Sequence, residues 1–217
     1  MSVSSDVAFS PAVKAEQQRR GSRTGYARLE AKGGWPTFVS PELAGLIGAT
    51  RTFYLATASK DGQPYIQHRG GPKGFLRVLD EHTLAFADFS GNRQYISLGN
   101  LSENARACIF IMDYERRQRV KIWGEANVVR DDPELNARLS LDYDARVEQA
   151  IVFRVKAWDA NCPQHIPQML FADDVAKSLY ALQSRIEVLE RENEFLRKQR
   201  NEPSPGLSPE PSQDKST

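Results

Sequence analysis

Between Arg119 and Val129 apolar and polar residues alternate without a break, and this segment restricts the fold more than any other. Val120, Ile122, Gly124, Ala126 and Val128 fall on one side of an extended backbone; Arg119, Lys121, Trp123, Glu125 and Asn127 fall on the other. A period of two is the mark of a strand with one face on a core. Thr52–Ala58, Pro64–His68, Phe75–Leu79, Thr83–Asp88 and Ile151–Trp158 read as further short strands. Ala105–Met112 is a nearly continuous apolar run, suited to a strand buried on both faces. Ser59-Lys60-Asp61-Gly62 supplies a hairpin turn. Short strands with few long helices between them predict a mainly β chain and a closed antiparallel barrel, because closure removes exposed edges.

The chain has 217 residues, enough for one such barrel plus extensions. Residues 1–40 are polar and broken by Gly25, Gly33, Gly34 and Pro36, which predicts an arm with one short helix. Pro41 opens a helical stretch capped by Ser40, and Asp132-Pro133 opens another through Leu139. The barrel is therefore assigned to 41–167 and a C-terminal helix to 168–200. Residues 201–217 contain Pro203, Pro205, Pro209 and Pro211 with almost no apolar surface, the composition of a disordered tail.

Val175, Leu182, Leu189 and Leu196 recur every seven residues, interleaved with Leu179, Ile186 and Asn193. Leucine at d with one polar asparagine at a is the pattern of a parallel two-stranded coiled coil. Arg185 at g faces Glu190 at e of a second helix, and Glu192 faces Arg197, each exposed pair adding ~0.3–0.5 kcal/mol. An amphipathic helix lying on its own barrel is the alternative. The acidic entry at Asp173-Asp174 argues against a basic DNA-binding zipper.

The formal charge is +1, from 29 basic and 28 acidic side chains, which argues against general nucleic-acid or membrane-surface binding. No apolar run approaches a bilayer span, and the N-terminal residues lack a signal-peptide core. Cys108 and Cys162 are too few for a disulfide framework. A cytoplasmic location is the expectation.

Any anion site must then be local, and three segments offer one. In His68-Arg69-Gly70-Gly71-Pro72-Lys73-Gly74-Phe75-Leu76-Arg77, glycines admit a ligand to the backbone while Arg69, Lys73 and Arg77 supply charge. Such a stretch alone is more often just a turn. In Phe86-Ala87-Asp88-Phe89-Ser90-Gly91-Asn92-Arg93-Gln94, a strand leaves Asp88 and Phe89 and enters a helix expected over Asn92–Leu101. Loop N–H groups at a helix start, beside an arginine, suit an anion. Arg119 and Lys121 project from one strand face, which is otherwise a solvated face. Their convergence on one dianion is an expectation that the sequence alone does not establish.

Phe53-Tyr54-Leu55-Ala56-Thr57-Ala58, Asp61-Gly62-Gln63-Pro64, the Arg69-Gly70-Gly71-Pro72 and Ser90-Gly91-Asn92-Arg93-Gln94 segments, and Val120-Lys121-Ile122-Trp123-Gly124 together resemble the pyridoxamine 5′-phosphate oxidase-like, FMN-binding split barrels. The resemblance covers roughly residues 50–165. It implies a split antiparallel barrel and FMN held at the interface of a homodimer. Asn92-Arg93-Gln94 stands where the oxidases carry a Ser-Arg-Lys that holds the FMN phosphate; Arg93 matches, and Gln94 keeps hydrogen bonding but loses a charge. The family's other Arg/Lys pair falls among Arg69, Lys73 and Arg77, and Arg119 and Lys121 fall where further flavin contacts arise. The implied cofactor site is thus Arg69, Gly70, Gly71, Lys73, Arg77, Asp88, Phe89, Asn92, Arg93, Gln94, Arg119 and Lys121.

The true oxidases end in a Trp- and Arg-rich segment against the flavin. This chain has Trp158-Asp159-Ala160-Asn161-Cys162-Pro163-Gln164-His165-Ile166-Pro167 instead, which argues against pyridoxamine phosphate as substrate. The resemblance implies a flavin-dependent oxidoreductase whose substrate and electron donor are not evident. A non-catalytic flavin carrier or sensor, or a barrel for haem or a deazaflavin, is the alternative. Cys162 and His165 read as a structural cysteine and a satisfied histidine, or as a nucleophile with its base; no metal site is expected.

Overall fold

The computed structural model describes residues 3–161 and 163–201, and the chain divides into two compact units, one ending at Gln168 and the other beginning at Met169. The first unit opens with a 3-10 turn (Ser4–Val7) and helices α1 (Pro11–Arg19), α2 (Arg23–Ala31) and α3 (Pro41–Ala49). Strands β1 (Thr52–Ala58), β2 (Pro64–Gly70), β3 (Arg77–Asp80) and β4 (Thr83–Phe89) follow, then α4 (Ile96–Glu103), β5 (Arg106–Asp113), β6 (Gln118–Val129), α5 (Pro133–Leu139) and β7 (Val147–Asn161). The second unit holds α6 (Ala172–Asn201).

Local signals act as expected at several ends. Ser40 Oγ accepts from the Leu43 N–H at 3.3 Å, and Asp132 Oδ1 accepts from the Leu135 N–H at 2.8 Å. Between β1 and β2 the Gly62 N–H donates to Ser59 O at 3.0 Å with Gly62 at φ 89°, a left-handed turn position.

The strands form one antiparallel sheet in the order β2-β1-β5-β6-β7-β4-β3, the expected split barrel. Full closure is not found: no ladder joins β2 to β3 among the described residues, so both remain edges. Phe53, Leu55, Phe86, Ile109, Ile122 and Phe153 are fully buried on the concave side. On β6 the predicted alternation holds, with Val120, Ile122, Gly124 and Ala126 buried. β5 departs from expectation. Ala107, Ile109 and Ile111 enter the core, but Cys108 and Phe110 are only partly buried on the opposite face, so its apolar run is not covered twice.

Boundaries shift where turn chemistry wins over composition. β3 starts at Arg77 because Phe75 closes a turn on Pro72 O, and α4 starts at Ile96 because Arg93 and Tyr95 adopt left-handed backbone that a helix excludes. The N-terminal arm carries two α-helices and a 3-10 turn, more than the one helix expected. Phe9 packs on Trp35, and Trp35 stacks on Trp123 of β6 at 4.8 Å with planes 4° apart. Backbone carbonyls fasten the following strap: Pro36 O and Phe38 O accept from the Trp158 backbone N–H and indole at 3.0 and 2.8 Å, and Thr37 O lies 2.9 Å from His82 Nδ1.

α6 spans 30 residues, about 45 Å at 1.5 Å per residue. Asp173 and Asp174 in its first turn and Lys198 and Arg200 in its last complement the helix dipole. No described helix is long and apolar enough to cross a membrane. The predicted tail at 201–217 lies outside the described residues, apart from Asn201 at the helix end.

β6 and β7 shift register between Trp123 and Gly124. A Cβ at Gly124 would lie 2.1 Å from Arg154 O and 2.6 Å from the Phe153 ring. Backbone cannot yield as a flexible side chain would, so Gly124→Ala is expected to cost ~1–3 kcal/mol or more. Urea denaturation would show the loss; an unchanged midpoint would contradict the close approach.

Candidate functional site

The strand period puts Gln67 and Arg69 on the same side of β2, and both side chains turn toward the residues around α4. Arg69 forms an ion pair with Asp88 of β4, and its Nη2 donates to Gln67 Oε1 at 3.1 Å. Gln67 Oε1 also accepts from Ser97 Oγ at 2.8 Å, and Gln149 Nε2 donates to Asp88 Oδ2 at 2.9 Å. The pair is mostly buried, with side-chain exposures of 13% for Arg69 and 8% for Asp88. Its guanidinium carbon stands 5.8 Å from the Phe86 ring centroid, and Arg69 Nε has no hydrogen-bond partner. The network is thus nearly satisfied, with one buried donor left over.

The loop between β4 and α4 completes the site. Ser90 N–H donates to Arg146 O at 2.9 Å, and Asn92 Oδ1 accepts from the Gln94 N–H at 3.3 Å. Arg93 and Tyr95 follow at φ 60° and 53°. Left-handed backbone costs a non-glycine residue roughly 1–2 kcal/mol, so a loop with two such residues is held by its surroundings. Tyr95 occupies the N-cap of α4, and no side chain caps the helix there. The first N–H groups of α4 thus lie beside the exposed Arg93.

A cavity of about 210 Å³ lies here, lined by Arg69, Arg93, Asn92, Asp88, Phe89 and Ser97 among others. Glu148 also lines it, so two carboxylates face two guanidiniums. Attraction for an anion here must come from directed donors rather than from net positive charge. Asp88 is bound into the network and faces the cavity as a partner of Arg69, not as a free acceptor.

The remaining expected residues lie elsewhere within one chain. Gly71 lies against Phe75, where a Cβ would approach to 2.8 Å, so packing accounts for that glycine; a Cβ on Gly70 would meet the His68 ring at 3.1 Å. Lys73 is exposed in the β2–β3 loop. Arg77 points to Ser140 O at 3.5 Å, beside the end of α5. Gln94 is exposed, and Asn92 Nδ2 donates to its Oε1 at 3.4 Å. Arg119 and Lys121 stand on the outer face of β6, with Lys121 Nζ 5.9 Å from the Trp123 ring. Lys121 lines a separate cavity of about 680 Å³ with Trp35, Trp123 and Trp158. Of the expected residues, Arg69, Asp88, Phe89, Asn92 and Arg93 are brought to one cavity; Gly70, Gly71, Lys73, Arg77, Gln94, Arg119 and Lys121 do not line it.

Sequence reading missed Gln67, Ser97, Tyr95, Gln149 and Glu148. Gln67 was within reach, two residues from Arg69 on one strand. Gln149 and Glu148 depend on the β4–β7 pairing, which the sequence does not display. Cys162 lies outside the described residues, and His165 is exposed with φ 62°. Among the described residues no group of three or more His, Cys, Asp or Glu is placed to hold a metal ion.

The sequence model of pyridoxamine 5′-phosphate oxidase matches residues 39–175, more than half of the chain and all of its strands. The chain belongs to the pyridoxamine 5′-phosphate oxidase family. Similar solved structures of limited likeness include HupZ from Group A Streptococcus, at 18% identity over 61% of this chain and 99% of that one, with a TM-score of 0.45. A Clostridium acetobutylicum protein related to general stress protein 26 is 15% identical over 62% and 94%, TM-score 0.42. The FAD binding protein from Mycobacterium smegmatis is 16% identical over 58% and 97%, TM-score 0.40. No curated protein matches the chain.

Two measurements probe this family member's interior. Arg69→Ala leaves Asp88 buried with only Gln149, which is expected to cost ~3–5 kcal/mol, whereas Arg69→Met with Asp88→Leu should recover much of the loss. Additive losses in urea titrations would argue against a coupled pair. Burial pushes the Cys108 thiol up to about 11, so near neutral pH it stays protonated. In a Cys162→Ser background, thiol reagents are expected to react slowly at pH 8 and faster as the pH approaches 11; rapid labelling at pH 7 would contradict this.

Proposed function

We propose that this chain is a cytoplasmic FMN-binding protein that works as a flavin-dependent oxidoreductase. The observation that carries the reading is the meeting of Arg93 and Arg69 at the uncapped start of α4. The donor set fits a phosphate monoester: helix N–H groups, an exposed guanidinium, and a buried Arg69 Nε without a partner. Arg93 and the first turn of α4 would hold the phosphate, while Arg69 would stiffen the site from behind. Asn92 and Gln94 would keep the loop in its left-handed course. The bound flavin would supply hydride or electron transfer, and the protein would bind and orient it.

Arg119 and Lys121 lie away from Arg93 within one chain and can share its ligand only if a second copy completes the site. The proposal therefore includes a homodimer with the flavin between subunits. Pyridoxamine phosphate is not proposed as substrate. Trp158 of β7 spends its backbone N–H and its indole N–H on Pro36 O and Phe38 O.

Titration of the flavin-free full chain with FMN is expected to quench flavin fluorescence, and Arg93→Ala to weaken binding about ten- to a hundredfold, the loss of one charged hydrogen bond. Circular dichroism should stay unchanged, since Arg93 is exposed. Protein that neither carries nor takes up FMN would overturn the reading. Bleaching of bound flavin by NAD(P)H would favour an enzyme over a carrier.

A further inference from the structure

α6 presents an apolar stripe to solvent along its length. Leu179 and Ile186 at a positions are 60% and 54% exposed, and Leu182, Leu189 and Leu196 at d positions are 61%, 46% and 61% exposed. A lone helix gains little from such a stripe, because helices in water draw most of their stability from a covered face. We propose that α6 forms a parallel, in-register, two-stranded coiled coil with α6 of a second copy of this chain.

Three observations select that occupant. The period of seven gives a continuous seam for a left-handed supercoil, and Ile186 at a with Leu182, Leu189 and Leu196 at d favours two strands. Asn193 sits at the a position of the seam. In a parallel in-register pair it meets the same asparagine of the second copy and the two amides hydrogen-bond; in an antiparallel pair a packs against d, and the amide would be buried against an apolar side chain. The charges are self-complementary: Arg185 at g matches Glu190 at e, and Glu192 at g matches Arg197 at e. A second copy of the same helix thus satisfies both polar and apolar positions at once. A lipid surface does not: the flanks carry both signs of charge and lack the basic excess such helices use.

The inference stands apart from the flavin reading, and its test reads only the helix. Full-length protein carrying Cys108→Ser, Cys162→Ser and Leu196→Cys is expected to convert mostly to a disulfide-linked dimer on mild oxidation, and to lose that product when Leu182→Lys and Leu189→Lys are added. A chain that stays unlinked, or a link that survives the lysines, would overturn the proposal. Because Cys108 is partly buried within β5, a second measurement retains it. With Cys162→Ser, spin labels at Lys177→Cys and, separately, at Lys198→Cys should report the same short distance between copies. These sites lie ~32 Å apart along the axis, so antiparallel pairing would lengthen both distances and exclude the parallel coil. Absence of any distance between copies would exclude it as well.

Discussion

The buried ion pair between Arg69 and Asp88 carries a task that hydrogen-bonded ladders leave undone. β2 is one edge of the sheet, and β4 is next to the other, yet Arg69 and Asp88 meet. The sheet must therefore curl until its two ends approach, and a charged contact bridges the gap where the barrel is split. Such a contact is costly to desolvate, and it is stable only when the remaining lone pairs and protons find partners. Gln149 serves Asp88, and Gln67 serves Arg69 and reaches on to Ser97 in α4. The aromatic layer of Phe53, Phe75 and Phe86 lies under the same region and shields it from water. Position of the α4 turn thus depends on a polar chain that begins at the far edge of the sheet.

The strands were legible because burial imposes a period of two on their residues, and β6 shows it from Arg119 to Asn127. The failures have physical causes. β5 is as apolar as a doubly covered strand, but within one chain only the side of Ala107, Ile109 and Ile111 reaches the core. The N-terminal helices were hidden because they bury little: Gln17 is the one buried residue of α1, and α2 has none. Their attachment is made by Phe9 and Trp35, which lie outside both helices.

The site was half legible for a related reason. Arg69 and Arg93 could be singled out by type and neighbourhood, but their meeting depends on the curl of the sheet. Arg77 looked equivalent to Arg69 in the sequence and lies instead beside Ser140. Eight residues apart in the sequence, the two stand on strands at opposite edges of the sheet, and so serve different surfaces. Asp88, expected among the cofactor contacts, lines the cavity and is also the counter-ion that lets Arg69 be buried. Backbone strain at Arg93 and Tyr95 left no mark in the sequence, since neither residue is of a type that favours the left-handed region.

The strap from Pro36 to Phe38 is gripped by its carbonyl oxygens, which every amino acid possesses. Its own side chains are therefore open to drift across related sequences, while the donors that grip it are not. Trp158 supplies two of those donors from a single residue, and of the two only the indole N–H depends on the side chain. Variation should accumulate on the held segment and be purged from the residue that holds it.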